Sequence, residues 1–173
     1  SVGVTHFFLM MSSLVEGESI LRNAAMEPEV ISLAKMLNKM GAHITGYGTN
    51  KIIVKGCSYL KGLDIISPPD RIEAGTYALA LAATGGKLKL NSISIKEIET
   101  LRHVLENTDV NIKSYKNSIE LIKKNRIIQP TDIETKPYPG FPTDLQAQFM
   151  ALMTYSKGRS RIKETIFENR FMH

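Results

Sequence analysis

The chain has 173 residues, 43% of them hydrophobic and 23% charged, with a formal net charge of +5 and a pI of about 9.3. That length suffices for one ordinary domain or two small lobes with separate cores. The longest apolar run, Tyr77 to Ala83, is far below the roughly 20 residues of a membrane span, no basic-then-apolar leader follows Ser1, and the single cysteine, Cys57, excludes internal disulfides and a cysteine-rich zinc site; a cytoplasmic protein is expected.

In chain order, Gly3 to Val15 carries an apolar helical pattern (Val4, Phe7, Phe8, Met11, Leu14, Val15) that stops at Glu16-Gly17. Ser19 to Arg22 reads as a short strand. Pro28 opens a second helix, where its missing N–H costs nothing, and Val30, Leu33, Ala34, Leu37 and Met40 line one face up to Gly41. His43 to Thr45 and Lys51 to Lys55, joined by Gly-Tyr-Gly-Thr-Asn, form a hairpin. The same order returns about 70 residues later, a spacing that indicates internal repeats. It has a helix at Arg71 to Ala83, a stop at Gly85-Gly86, a strand at Lys87 to Leu90, a helix at Ile95 to Leu105, and a hairpin of Val110 to Tyr115 with Ser118 to Lys123. A third copy starts with a helix at Thr143 to Tyr155 and a strand at Arg161 to Ile166.

The third copy lacks its second helix and hairpin, and Ser1 enters a helix directly, so the expectation is a fragment cut from a larger repeat protein. Its fold class is α+β, built from β-α-β-α-β-β units. Consecutive prolines exclude helix and central strand. The linker Ser67-Pro68-Pro69-Asp70 therefore divides the chain into residues 1–67, one repeat of one lobe, and 68–173, one repeat and part of a second of another lobe.

The basic balance fits nucleic acid, an acidic surface or small anionic substrates. There is no tryptophan and no aromatic RNA-stacking motif. The densest basic stretches are Lys123-Lys124-Asn125-Arg126 and the alternating Arg159, Arg161 and Lys163, which would share one strand face. A solvated sheet face is favoured over a polyanion site, so neither nucleic acid nor membrane is expected as a partner.

Five blocks identify a relationship. They are Ser1-Val2-Gly3-Val4-Thr5; Asn23-Ala24-Ala25 with Glu27-Pro28-Glu29; Pro69-Asp70-Arg71-Ile72-Glu73; Pro139-Gly140-Phe141-Pro142-Thr143-Asp144-Leu145-Gln146-Ala147-Gln148; and Glu164-Thr165-Ile166-Phe167-Glu168-Asn169-Arg170-Phe171-Met172-His173. Together, and in this order, they resemble the enolpyruvyl transferases that act on UDP-N-acetylglucosamine, the MurA family; EPSP synthase shares that fold without the last two blocks. The resemblance implies an inside-out α/β barrel of repeats in each of two lobes. It also implies transfer of the enolpyruvyl group of phosphoenolpyruvate to the 3′-hydroxyl of UDP-N-acetylglucosamine, the first committed step of peptidoglycan synthesis, with no cofactor and no metal.

The site residues have a plain and a functional explanation each. Asp144 and Thr143 at a helix start would ordinarily be caps; the resemblance places Asp144 at the sugar 3′-hydroxyl as candidate general base. A helix start suits an aspartate to orient that hydroxyl more than to take its proton. Ser1, Val2 and Gly3 would cap a helix, or, by resemblance, contact the diphosphate and uridine end of the substrate. Ile166 and Phe167 would be core and Arg170 a surface charge; by resemblance, the first two border the nucleotide pocket and Arg170 meets an anion in the cleft.

Arg71 suits a salt bridge equally well, and Cys57 reads as a small buried filler that does not match the family's reactive cysteine. Met26 and Tyr138 stand where the family commonly has a basic residue and a histidine. The family's loop cysteine, N-terminal lysine and later arginine have no counterpart here, so the 173 residues alone are expected to be inactive. A nucleotide-sugar binding module and a basic RNA-binding domain are the competing classes. Self-association is also expected, because the apolar side of the third-copy helix (Leu145, Phe149, Leu152, Met153) would lose cover.

Overall fold

A computed structural model describes residues 1–125 and 127–173 and divides them into two compact units. The first comprises Ser1–Pro68 with Pro137–Pro139, and the second Pro69–Lys136 with Gly140–His173. Arg126, in the first basic stretch, lies outside the described residues.

The first unit runs α1 (Val2–Ser12), β1 (Glu18–Arg22), α2 (Pro28–Met40), β2 (His43–Thr45) and β3 (Lys51–Lys55). The strands form an antiparallel sheet in the order β1-β3-β2. Pro28 stands in the first turn of α2, and Gly41 ends that helix at φ +117°, a conformation costly to any residue with a Cβ. Asn38, in the last turn, clamps β2 through both ends of its amide: Nδ2 donates to Ile44 O at 2.9 Å and Oδ1 accepts from Ile44 N at 2.7 Å. Leu9, Val30, Ala34, Leu37, Ile44, Ile52 and Val54 make the core.

Helix α1 is turned opposite to the sequence expectation. Its buried face carries Thr5, Leu9 and Ser12, whereas Val4, Phe7, Met10 and Met11 are exposed, Phe7 at 62%. The inner face tolerates hydroxyls because each is satisfied. Thr5 Oγ1 donates to Ser1 O and accepts from Ala25 N, and Ser12 donates to Phe8 O. The helix also stops at Ser12, short of the expected Val15, and the following loop is held to the end of β3 by Gly56 N to Gly17 O (3.0 Å) and Cys57 N to Ser13 O (2.9 Å).

This contact has no room for a side chain, since a Cβ on Gly56 would stand 1.7 Å from Val15 O. Gly56→Ala should destabilise the unit by about 2–3 kcal/mol, because a backbone carbonyl cannot rotate aside as a side chain can; chemical denaturation of variant and parent measures it. Cys57 is half-buried rather than buried, with its thiol toward Ser13 O and Tyr59 O, both 3.3 Å away.

The second unit contains α3 (Arg71–Thr84), β4 (Gly86–Asn91), a 3₁₀ turn at Ile95–Ile98, α4 (Glu99–Asn107), β5 (Asn111–Tyr115) and β6 (Ser118–Lys123). It continues through β7 (Ile133–Glu134), a 3₁₀ turn at Thr143–Leu145, α5 (Gln146–Met153) and β8 (Ile162–Lys163). Its antiparallel sheet has the order β4-β6-β5, the arrangement of the first unit repeated. Asp70 caps α3 by accepting from Ile72 N at 2.8 Å and Glu73 N at 3.0 Å. The expected helix from Ile95 is split, its first turn tightened by Glu97 reaching back to Ser94 N at 3.0 Å.

Three further expectations are corrected. Leu145, Phe149, Leu152 and Met153 do not lose their cover; all are buried in the same core as Ala78, Leu79, Leu101 and Leu105. The reason is the small face of α3. A Cβ on Gly75 would meet Leu145 Cδ1 at 2.6 Å, so the glycine admits the leucine, and Phe141 meets Phe149 edge-on with centroids 5.7 Å apart.

The strand expected over Arg161 to Ile166 is only Ile162–Lys163, paired in parallel with β7 across the α5 crossover. Arg159 and Arg161 are exposed, and Lys163 is ion-paired with Glu134 at 2.8 Å, as on a solvated surface. Lys123, by contrast, is buried, its ammonium donating to Thr108 O and, at 3.1 Å, to Ile127 O. Burial pushes that group below the usual lysine range, with Asp109 pulling the other way.

Candidate functional site

In the second unit, two segments about twenty positions apart converge, the turn Thr143–Leu145 at the start of α5 and the loop that leaves β8. The turn is entered from Pro142, and neither Thr143 nor Asp144 makes a capping bond. The helix-cap explanation of Asp144 therefore fails. Its Oδ1 accepts instead from Arg170 Nη2 at 2.7 Å, with both side chains partly exposed. The Arg170 guanidinium also lies over the Phe167 ring, 5.2 Å from its centroid. Ile166 and Phe167 are exposed rather than core, so the plain explanation fails for them as well.

Glu164, which the sequence analysis did not single out, joins the two segments. Its Oε2 accepts from Thr143 Oγ1 at 2.8 Å, and its Oε1 accepts from Ile166 N at 2.7 Å and Phe167 N at 3.1 Å. Burial pushes its carboxyl up, but the bonds from Ile166 N, Thr143, Phe167 N and Thr135 outweigh this and hold it below the usual glutamate range. Glu164 opens the Glu164–His173 block, whose local pattern gives no sign of the bond to Thr143, 21 positions away.

The base of the loop is tied to β7. Thr135 N donates to Lys163 O at 2.9 Å, Thr165 N donates to Thr135 Oγ1 at 2.9 Å, and Thr165 Oγ1 donates to Thr135 O. Beside it, hydrogen bonds from Lys163 and then Lys136 lower the Glu134 carboxyl from 4.5 to about 2. A carboxyl lowered on folding stabilises the fold above its unfolded value and loses that contribution as pH falls. The β7–β8 pairing should therefore loosen as pH drops from 4.5 toward 2. Amide NMR shifts of Ile133 and Lys163 would follow it, and Glu134→Gln should remove this part of the acid response.

Asp144, Phe167 and Arg170 thus share one surface, with a carboxylate and a guanidinium presented beside an exposed aromatic ring, and Thr143 and the exposed Ile166 adjoin them through their bonds to Glu164. That set can bind a hydroxyl, an anion and a flat apolar group. Ser1, Val2 and Gly3 belong to the other unit, where Ser1 Oγ caps α1 by accepting from Val4 N at 3.4 Å. Among the described residues, no group of His, Cys, Asp and Glu could hold a metal ion, and no helix is long and apolar enough to cross a membrane.

Two curated relatives, each called UDP-N-acetylglucosamine 1-carboxyvinyltransferase, are 50% identical to the chain over all 173 residues; one is from Mesorhizobium japonicum and the other from Brucella ovis. The chain spans 40% of the length of each. Among solved structures, the enolpyruvyl transferase NikO from Streptomyces tendae superposes with a TM-score of 0.84 over 99% of this chain and 41% of its own, at 19% identity. That similarity establishes the enolpyruvyl transferase fold, α+β in class. Residues 1–173 match the EPSP synthase (3-phosphoshikimate 1-carboxyvinyltransferase) family, and the chain belongs to that family.

Proposed function

We propose that the chain is part of a transferase that moves the enolpyruvyl group of phosphoenolpyruvate to the 3′-hydroxyl of UDP-N-acetylglucosamine, at the entry to peptidoglycan synthesis. In that reaction the sugar oxygen replaces phosphate on the enolpyruvyl carbon, and the hydroxyl proton leaves with the phosphate. The observation that carries the proposal is the meeting of Asp144, Phe167 and Arg170 on one surface, where the plain explanations for Asp144 and Phe167 both fail. The relatives' names supply the substrate class.

Asp144 is assigned to the sugar hydroxyl. Arg170 Nη2 occupies one carboxylate oxygen, leaving Oδ2 to accept from the substrate. Arg170 is assigned to a phosphate or carboxylate of the substrates, for which its planar fork is suited. Thr143, Ile166 and Phe167 border the nucleotide sugar. Ser1, Val2 and Gly3, at a helix start whose first N–H groups lack intrahelical partners, are assigned to the diphosphate and uridine end. On this proposal residues 1–67 form the last repeat of one lobe, and 68–173 the first repeat and part of the second of the other.

The test is phosphate release by the complete polypeptide that carries these residues, given phosphoenolpyruvate with either UDP-N-acetylglucosamine or shikimate 3-phosphate. Turnover with the nucleotide sugar alone is expected, and turnover with shikimate 3-phosphate alone would overturn the assignment. The 173-residue polypeptide by itself is expected to release none.

A further inference from the structure

We propose that Glu164 is a positioning residue of this site, holding Asp144 and Arg170 in register; the inference rests on the assignment of those two residues to substrate. Its two carboxylate oxygens accept three hydrogen bonds from two segments, Thr143 Oγ1 on one side and the successive amides of Ile166 and Phe167 on the other. Two consecutive N–H groups on one oxygen fix the direction of the chain as it leaves β8. That direction sets Phe167 beneath the Arg170 guanidinium, and Arg170 in turn reaches Asp144 at 2.7 Å. Asp144 follows Thr143 directly, so the contacts close into a circuit: Glu164, Thr143, Asp144, Arg170, Phe167 and back to Glu164.

A circuit restrains its members more than an open series of contacts does, because each member is held from two sides. The exposed members face solvent, where an Asp–Arg pair alone orders its side chains weakly. Glu164 is the more buried link, and it is the one that ties side chain to backbone. Groups that touch substrate gain precision when the shell behind them is fixed by hydrogen bonds.

The test uses the complete polypeptide, with phosphate release as the readout and UDP-N-acetylglucosamine varied. Glu164→Ala should lower kcat/KM by about 10²-fold, the scale expected when reacting groups are displaced by an ångström. Glu164→Gln can keep the circuit, since its amide oxygen still accepts both N–H groups and its NH₂ can donate to the Thr143 hydroxyl; it should recover activity to within about tenfold of the parent. Thr143→Val should fall between the two, and the Glu164→Ala/Thr143→Val double variant should be no worse than Glu164→Ala, as for one interaction removed twice.

A merely structural role would not give that non-additivity together with rescue by the amide. Glu164→Gln as damaging as Glu164→Ala, additive losses, or Glu164→Ala within about twofold of the parent would each overturn the proposal. If Glu164→Ala does not fold, Thr143→Val and Glu164→Gln decide, and an unaffected Thr143→Val overturns it. Asp144→Ala separates the two levels. Loss there with a silent Glu164→Ala removes only the positioning role, whereas silence in both removes the site assignment as well.

Discussion

Replacing Asp144 by alanine in the complete polypeptide should lower kcat by roughly 10²-fold or more while leaving the melting temperature nearly unchanged. The two halves of that expectation come from the same observation. Asp144 makes no capping bond at the helix start, so removing it takes away only a charge–dipole interaction there, about 0.3–1 kcal/mol. Its recorded contact is a partly exposed pair with Arg170 at 2.7 Å, and pairs of that kind contribute roughly 0–1 kcal/mol. The charge is thus nearly idle in stability and placed where a hydroxyl can reach it.

Asp144→Asn refines the result. The amide oxygen can still accept from Arg170 and from a hydroxyl, but it cannot take a proton. An asparagine variant that retains much of the activity identifies an orienting role; one as inactive as alanine identifies a general base. A drop in stability with kcat intact would instead return Asp144 to a structural role.

The 173-residue polypeptide should self-associate through α1, and Phe7→Lys/Met11→Lys should weaken that association by about 10²-fold or more. Val4, Phe7 and Met11 follow one another along α1 at spacings of three and four and form a stripe, Leu14 lies in the turn just beyond the helix, and all four are exposed. Burying a large apolar side chain contributes about 1.5–3 kcal/mol, so two charged replacements on one stripe should dominate the equilibrium. The expectation moves from α5 to α1 because the structure covers Leu145, Phe149, Leu152 and Met153. Sedimentation equilibrium over a dilution series reads the outcome. A parent polypeptide monomeric at every concentration, without binding of a hydrophobic dye, would show that the stripe does not drive association.

Most of the fold was legible where the local chemistry is strong. Pro28 and Gly41 bracket α2, and the two hairpins follow from alternating apolar residues on either side of short turns. The repeated order was legible too, and the sheet orders β1-β3-β2 and β4-β6-β5 carry it into three dimensions. What escaped was set by distant partners. Strand β7 has two residues between Pro130 and Pro137 and exists through its pairing with β8. The inner face of α1 sets a single leucine, Leu9, between the hydroxyls of Thr5 and Ser12, so periodicity pointed to the wrong side of the helix. Lys123 looked like part of a charged surface run, yet two backbone carbonyls take it inside. Of the candidate site, the residues came from resemblance; their meeting, and Glu164 at its centre, came from contacts more than twenty positions apart in sequence.

Because Arg170 already holds Asp144 Oδ1, a sugar hydroxyl at Oδ2 shares the carboxylate with an existing partner instead of meeting it alone. The guanidinium draws on the same negative charge, so the pair weakens the acceptor that the hydroxyl meets. Added salt screens the charge pair while barely affecting a bond from a neutral hydroxyl. A neutral sugar fragment should therefore bind somewhat better as ionic strength rises, whereas a ligand held through its phosphates should bind worse. The sign of the salt slope would then report which end of a ligand the protein has grasped.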